Sequence, residues 1–238
     1  DTSIDYANVP WVFRCAPADS QQADSLIRYA QGQGYKHVVV VTEIERAGHT
    51  GFLRLQDKAS QRRFSLEAHY EFPTSNPEAL IPRLKRTELD AIILWGSSAP
   101  ALSLLRALRA AGISAPVLAP SLLALPEVAA ASGWVGSLVV SAPFDLSRQD
   151  SATVAFAERY RNRWGVSPSP VAFYSYDSAR LVIRAIESAG LNRMRIRDEL
   201  TQISFDGLTG KIQFNSLRGN TAEPLLMTLK DNHWHRLD

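Results

Sequence analysis

The chain has 238 residues, of which 45% are hydrophobic and 21% are charged, as is typical of a globular protein with one large core or two modest ones. Its 26 basic and 24 acidic residues leave a net charge of +2, which argues against nucleic acid or an anionic membrane as a partner. No apolar run reaches the roughly 18–20 residues that cross a bilayer, so we expect no membrane-spanning segment in this chain. The first residues lack a basic and then apolar pattern, so we predict no signal peptide within it.

The first half of the chain alternates helical and strand patterns. Asp19 and Ser20 offer an N-cap to a helix that ends near Gly32, and the β-branched run 37–42 follows. A continuous run of this kind predicts a strand that is covered on both faces, as in a parallel sheet. Further helices are predicted at 49–61, 77–87 and 100–112, and further strands at 64–72, 90–95, 116–119 and 136–142. This alternation predicts βαβ units in a doubly wound sheet.

The second half is dominated by two long helices, predicted at 147–164 and 170–189. Trp164 of the first helix and Ile183 of the second belong to the apolar stripes that we expect to face inward. A short helix near 198–203 and three strand-like segments follow, at 210–214, 224–230 and 233–237. Asp231 and Asn232 are typical of a hairpin turn between the last two strands. The second half contains few strands for these helices to cover. We therefore expect either that the helices pack on the first half or that part of their domain is missing.

Motifs typical of enzymes are absent from the sequence. It contains no G-x-S-x-G, no phosphate-binding G-x-x-x-x-G-K-[ST] and no H-E-x-x-H. Gly32 and Gly34 end a helix instead of joining a strand to a helix, so they do not predict a dinucleotide site. His233 and His235 share a strand face without a cysteine or carboxylate partner. We therefore expect no catalytic residues, no cofactor, no metal site and no enzymatic activity.

Six segments of the sequence, in a fixed order, carry a resemblance to one protein family. They are Trp11–Ala23, Gly34–Val41, Leu105–Gly112, Gly136–Ser141, Ala172–Ala179 and Phe205–Phe214. They resemble the branched-chain amino-acid (Leu/Ile/Val)-binding proteins, which are type I periplasmic binding proteins and extracellular ligand-binding receptors of ABC transporters. The similarity extends from about residue 9 to the end of the chain. The resemblance implies an α/β fold of periplasmic binding protein type I, with one doubly wound parallel-sheet lobe and a partial second α/β lobe.

The resemblance also implies a division of the chain. Residues 1–16 would be a remnant of lobe one with the first crossover, and 17–141 a complete lobe two. Residues 142–209 would be the helical part of lobe one, and 210–238 the C-terminal strands with the last crossover. The N-terminal part of lobe one would then be missing. Hinges are expected at three crossovers, near Pro17, Pro143 and Gly210.

The family binds its ligand in a cleft between the lobes, at loops that follow strands, and this implies a set of candidate contacts. They are Ala47 and His49 after the first strand, Trp95, Gly96, Ser97 and Ser98 after the third, Ser121 after the fourth, and Tyr174 in the helical half. Four of them have a plainer interpretation. His49 fits a solvated helix start, Ser97 and Ser98 fit an N-cap, and Tyr174 fits core packing.

Two departures from the family pattern bear on the ligand. Ala47 stands where the family often has tyrosine, and Ser121 stands where amino-acid-binding members have an acidic residue for the ammonium group. A neutral or acidic ligand is therefore favoured over a standard amino acid.

The implied function is capture of a small polar molecule, an amino acid or a related acid or amide, for the membrane subunits of an ABC transporter. The implied location is periplasmic or extracellular. The open alternatives are the ligand-sensing domain of a signalling receptor, the effector core of a lactose-repressor-type regulator, and a degenerate receptor that binds a partner protein.

Overall fold

A computed structural model of the protein describes residues 9–130 and 137–237. The start of the predicted segment 1–16, Gly136 of the predicted strand 136–142, and Asp238 lie outside the described residues. The chain forms two compact units. The sheet unit comprises residues 19–130, 137–142 and 225–237, and the helical unit comprises residues 9–18 and 143–224.

The sheet unit is built on a seven-stranded sheet. Its strands are β1 (Val38–Glu43), β2 (Ala68–Phe72), β3 (Ala91–Trp95), β4 (Val117–Pro120), β5 (Leu138–Ala142), β8 (Leu225–Lys230) and β9 (His233–Arg236). The order is β2-β1-β3-β4-β5-β8-β9, in which β1 to β5 are parallel and the last two strands antiparallel. The predicted doubly wound parallel sheet is confirmed.

Helices cover both faces of this sheet. They are α1 (Asp19–Gly32), α2 (Arg46–Gln61), α3 (Ile81–Leu84), α4 (Ser98–Ala110) and α5 (Pro126–Ala130), with 3₁₀ turns at Pro77–Leu80 and Ser121–Leu123. Val38, Val40 and Ile93 pack with α1 and α2 in one buried cluster. Their strand neighbours point to the opposite face, because side chains alternate along a strand. Right-handed crossovers place α4 on that second face, where it buries three leucines. Burial on both faces explains the continuous apolar runs of β1 up to Val41, of β3 and of β4.

The turn between β8 and β9 has the predicted form. Lys230 pairs with His233, which leaves Asp231 and Asn232 as a two-residue turn. Both turn residues have positive φ, of 49° and 62°, as a type I′ turn requires. The hairpin prediction is confirmed, and the turn attaches β9 to the end of the sheet.

The helical unit contains α6 (Ser151–Trp164), α7 (Pro170–Ala189), α8 (Arg193–Gln202), and the hairpin β6 (Phe205–Gly207) and β7 (Gly210–Ile212). Caps set the helix ends. The Asp150 side chain accepts a hydrogen bond from the Thr153 backbone N–H, and Gly165 ends α6 with φ of 73°. Asn192 accepts from two backbone N–H groups at the start of α8.

Two apolar clusters hold the helical unit together. One joins α7, α8 and the hairpin through Leu181, Leu200 and Phe205. The other is aromatic, and its central Phe156 ring lies 4.8 Å from Phe173. Cys15 packs on the first cluster. Burial raises the pKa of its thiol, against a smaller opposite effect of the hydrogen bond with Ser178, so the thiol is protonated at neutral pH.

The helical faces differ from the sequence prediction. Trp164 and Ile183, which were expected to face inward, are exposed by 64% and 53%. The buried stripe of α7 is rotated instead onto Phe173, Asp177, Leu181 and Ala185. An apolar stripe shows that one face of a helix packs, but the neighbouring elements decide which residues of a wide stripe are covered. Within the described residues, no helix is long and apolar enough to cross a membrane.

Candidate functional site

The strand order creates a crevice at the carboxyl ends of β1 and β3. From β1 the chain proceeds outward to β2, and it then returns to β3 on the other side of β1. In open α/β sheets, ligands bind outside the carboxyl ends of the strands at such a switch point. Thr42 pairs with Trp95 in this register, so Glu43 and Gly96 leave the sheet side by side. The candidate site therefore lies on the sheet unit at this edge.

Glu43 is the centre of the hydrogen-bond network at the edge. It is only 2% exposed, and its carboxylate accepts three kinds of hydrogen bond. The Ser97 backbone N–H donates at 2.7 Å, the Ser97 hydroxyl at 2.7 and 2.9 Å to the two oxygens, and the Thr74 hydroxyl at 2.8 Å. One buried side chain thus ties together the loops that follow β1, β2 and β3.

These hydrogen bonds decide the charge of Glu43. Burial alone would raise the pKa of the carboxyl group. The donors from Ser97 and Thr74 outweigh burial and lower the pKa below its ordinary value, so Glu43 is ionised at neutral pH. The site therefore contains a fixed negative charge just beneath its surface.

Two glycines make room for this network. A Cβ added at Gly96 would lie 3.0 Å from the Phe72 ring and 3.1 Å from the Glu43 Cβ. A Cβ added at Gly48 would lie 1.8 Å from the Glu43 carbonyl oxygen. Both positions need glycine because of close packing. Gly96, predicted as a ligand contact, serves this packing and is itself buried.

The three predicted serines lie at the carboxyl edge. Ser97 is exposed and occupies the N-cap position of α4, yet its side chain makes no capping hydrogen bond, since its hydroxyl is directed to Glu43. Ser98 is half-buried and donates its hydroxyl to the Leu122 carbonyl oxygen at 3.0 Å. This bond connects the start of α4 to the turn after β4. Ser121 is half-buried in that turn, and its backbone N–H donates to the Gln22 side chain at 2.8 Å.

The remaining candidates of the sheet unit divide into exposed and buried positions. Ala47 and His49 are exposed in the first turns of α2, which follows β1. Trp95 is 2% exposed and belongs to the apolar core, where its indole ring packs against Gly51. Because α2 covers the indole ring, Trp95 contributes to the core beneath the site.

The candidates of the helical unit have structural partners. Tyr174 is half-buried, its ring packs 5.9 Å from Phe144, and its hydroxyl donates to the Pro143 carbonyl oxygen at 3.0 Å. Burial raises the pKa of the Tyr174 phenol, which is therefore neutral. The phenolic hydrogen of Tyr174 is therefore donated within the helical unit.

The predicted hinge positions lie at different kinds of place. Pro17 and Pro143 lie at or next to two of the chain boundaries between the units. Gly210 lies inside the helical unit, where it pairs with Gly207 and closes the β6–β7 turn with φ of 97°. The third boundary falls at Pro224–Leu225, not near Gly210. Gly210 has a backbone conformation that favours glycine because it lies in a tight turn. The sequence pattern alone did not distinguish such a turn from a crossover between the units.

Sequence reasoning missed Glu43, Thr74 and Gln22. The signal for Glu43 was present, because an acidic residue directly follows the apolar run Val38–Thr42. A carboxylate at the end of a buried strand requires donors from neighbouring loops. Which loops supply them depends on the strand order, which the sequence does not show.

Comparisons with known proteins agree with this architecture. A family model described as periplasmic binding protein matches residues 2–229. A search of curated proteins found no significant match. Many solved structures are similar in fold.

Three of these structures illustrate the similarity. An ABC transporter substrate-binding protein from Desulfitobacterium hafniense, in complex with Leu, is 22% identical with a TM-score of 0.78, over 99% of this chain and 70% of that one. A solute-binding protein of an ABC transporter from R. palustris, in complex with benzoate, is 20% identical with a TM-score of 0.81, over 98% and 68%. A branched-chain amino acid transporter substrate-binding protein from Streptococcus pneumoniae, in complex with isoleucine, is 20% identical with a TM-score of 0.76, over 96% and 68%.

The likeness to these structures establishes the type I fold, and the family match extends over almost the whole chain. This chain belongs to the periplasmic binding protein family.

Proposed function

We propose that this protein is the solute-binding receptor of an ABC transporter, and that a small polar molecule binds at the carboxyl edge of the sheet unit. The observation that carries the proposal is a set of three serines at the carboxyl edge of the sheet, at the ends of β3 and β4. Ser97 and Ser98 begin α4, and Ser121 begins the turn after β4. All three are at least partly accessible, and each residue is fixed by a hydrogen bond. The Ser97 and Ser98 hydroxyls donate to Glu43 and to the Leu122 carbonyl oxygen, and the Ser121 backbone N–H donates to Gln22. Such preorganised polar groups are typical of small-molecule sites.

The comparisons support the same class of function. The similar proteins from D. hafniense, R. palustris and S. pneumoniae are described as proteins of ABC transporters, in complex with Leu, benzoate and isoleucine. Those ligands are small and carry a carboxylate, and two of them carry an ammonium group. The ligand of this protein is proposed to be of similar size.

The proposal extends to location and partners. A receptor of this class acts outside the cytoplasm and delivers its ligand to the membrane subunits of the transporter, so we place this protein in the periplasm or at the cell exterior. It is proposed to bind its ligand without chemical conversion.

Ligand-dependent thermal stability tests the proposal. The panel contains amino acids, amides and aromatic acids at millimolar concentration. A ligand at a hundred times its Kd stabilises the folded protein by about 2.7 kcal/mol, a clear rise in melting temperature. Ser121→Ala is expected to weaken binding of any hit. Ser60→Ala serves as the matched control, because Ser60 is exposed at the opposite end of α2.

Two outcomes would contradict the proposal. A flat panel would favour recognition of a partner protein. A hit whose affinity is equally insensitive to Ser121→Ala and Ser60→Ala would place its site away from this edge.

A further inference from the structure

The Ser97 hydroxyl has a fixed hydrogen-bond polarity. An ionised carboxylate can only accept hydrogen bonds, so the Ser97 hydroxyl donates its hydrogen to Glu43, at 2.7 Å. The hydroxyl then keeps only its lone pairs for other partners. Because Ser97 is exposed, these lone pairs are what it offers to a ligand.

Ser98 has the same polarity through a different partner. Its hydroxyl lies 3.0 Å from the Leu122 carbonyl oxygen, and a carbonyl oxygen also only accepts. Two consecutive hydroxyls at the start of α4 are therefore committed as donors to the protein. Both present hydrogen-bond acceptors to the surroundings.

One backbone N–H at the start of α4 is also closed to ligand anions. Free backbone N–H groups at a helix N-terminus ordinarily attract a carboxylate or phosphate. Here the Ser97 N–H donates to Glu43 at 2.7 Å, so the protein's own carboxylate takes that position. A ligand carboxylate at Ser97 would meet acceptor lone pairs with a negative charge behind them, an arrangement that repels it.

We propose that Glu43 is a specificity-determining residue, which selects ligands that present hydrogen-bond donors to Ser97 and Ser98, namely ammonium, amide N–H or hydroxyl groups, over carboxylates. This inference rests on the proposed function and identifies the ligand class of the same edge. It changes the expectation from the sequence, in which the serine at position 121 favoured a neutral or an acidic ligand. The Glu43 charge retains the neutral ligand, disfavours the acid and admits an ammonium group.

Matched probes test the selection. Benzamide, benzylammonium and benzoate share a ring and differ in the polar group. By isothermal titration calorimetry, the wild-type protein is expected to bind benzamide or benzylammonium at least tenfold more tightly than benzoate. In Glu43→Gln, the side-chain amide can donate to the Ser97 oxygen, which frees the Ser97 hydrogen for a ligand acceptor. This variant is expected to reduce the preference by at least tenfold.

Glu71→Gln is the matched control. It makes the same chemical change at an exposed carboxylate of β2 and leaves the Glu43 network intact, so the preference should persist. Equal affinity of the wild-type protein for benzoate and benzamide would overturn the inference. An unchanged preference in Glu43→Gln would do the same.

A second measurement tests the role of Glu43 without any ligand of the receptor. Glu43→Ala vacates the carboxylate position at the Ser97 N–H. Formate at 100 millimolar, compared with chloride at the same ionic strength, is then expected to raise the melting temperature of this variant by several degrees and to leave the wild-type protein unchanged. The double variant Glu43→Ala/Ser97→Ala should lose most of this rescue.

The two experiments separate the possible failures. If neither these probes nor the thermal panel gives binding, the proposed function fails, while formate rescue still tests the role of Glu43. If formate affects Glu43→Ala and the wild-type protein equally, Glu43 does not occupy an anion position, and the inference fails.

Discussion

Each unit of the protein contains one buried carboxylate that organises a turn, and the two can be compared atom by atom. In the sheet unit, Glu43 is 2% exposed and accepts from a backbone N–H and two hydroxyls. In the helical unit, Asp177 is 1% exposed and accepts from the backbone N–H groups of Leu208 and Thr209 and from the Thr209 hydroxyl, at 2.9, 2.8 and 2.6 Å. Each carboxylate also has a glycine packed against its residue.

The donors of the two carboxylates differ in exposure. Leu208 and Thr209 are themselves buried, so the network of Asp177 is closed on every side. Thr74 and Ser97 are exposed, so the network of Glu43 continues to the surface. The comparison indicates that Asp177 serves the fold, because it fixes the two-residue turn of the β6–β7 hairpin. Glu43 serves both the fold and the properties of the surface above it.

The largest effect is expected from Asp177→Ala. The change leaves three buried donors of the β6–β7 turn without an acceptor, and we expect a loss of about 3 kcal/mol in the free energy of unfolding. Urea denaturation followed by circular dichroism measures it. Asp206→Ala lies in the same hairpin but is exposed, and should cost less than about 0.5 kcal/mol. Equal losses in the two variants would refute a special role for Asp177.

Alanine substitutions at Gly207 and Gly96 compare how closely the two carboxylate networks are packed. A Cβ at Gly207 would lie 2.4 Å from the Asp177 carboxylate, while a Cβ at Gly96 lies no closer than 3.0 Å to any neighbour. We expect Gly207→Ala to cost about 2 kcal/mol and Gly96→Ala about 1 kcal/mol by overpacking. Gly32→Ala is the control, because no atom lies within 4 Å of the added carbon. Thermal melts that rank Gly96→Ala above Gly207→Ala would contradict the comparison.

Removal of a single hydroxyl should have different costs in the closed network of Asp177 and in the surface-accessible network of Glu43. Thr209→Val should cost about 1.5 kcal/mol, since water cannot replace the lost donor in a buried site. Ser97→Ala should cost about 0.5 kcal/mol, because Ser97 is exposed and water can take the place of its hydroxyl as a donor to Glu43. Chemical denaturation of the two variants in parallel measures the difference. Similar costs would show that both networks are equally closed.

The smallest effect is a pH dependence of stability from Glu43. Its folded-state pKa is lowered from an ordinary value of 4.5, so the ionised form contributes stability above that pH, and the contribution is lost as pH falls through the lowered pKa. The wild-type protein should therefore lose melting temperature more steeply than Glu43→Gln as the pH falls below 4.5 and through the lowered pKa. Parallel pH profiles of the two proteins would exclude this contribution.

The candidate site was partly predictable from the sequence. Ser97, Ser98 and Ser121 follow apolar strands, and the structure places all three at the same edge of the sheet. Trp95 ends one of those strands and was expected with them, but the side chain of the last strand residue still belongs to the core. The sequence could not predict whether the Ser97 and Ser98 hydroxyls donate or accept hydrogen bonds, because their partners Glu43 and Leu122 come from other loops.

The sequence by itself determined the local elements and the fold class. The β-branched run of β1, the alternation of strands and helices, and the Asp231–Asn232 turn each depend on neighbours in the chain, so their patterns are sufficient. The tertiary structure decided which faces of α6 and α7 are covered, that the third boundary lies at Pro224–Leu225, and that Glu43 is held by Thr74 and Ser97. These features depend on contacts between residues distant in sequence, and such contacts exist only after the helices and strands of each unit have packed together.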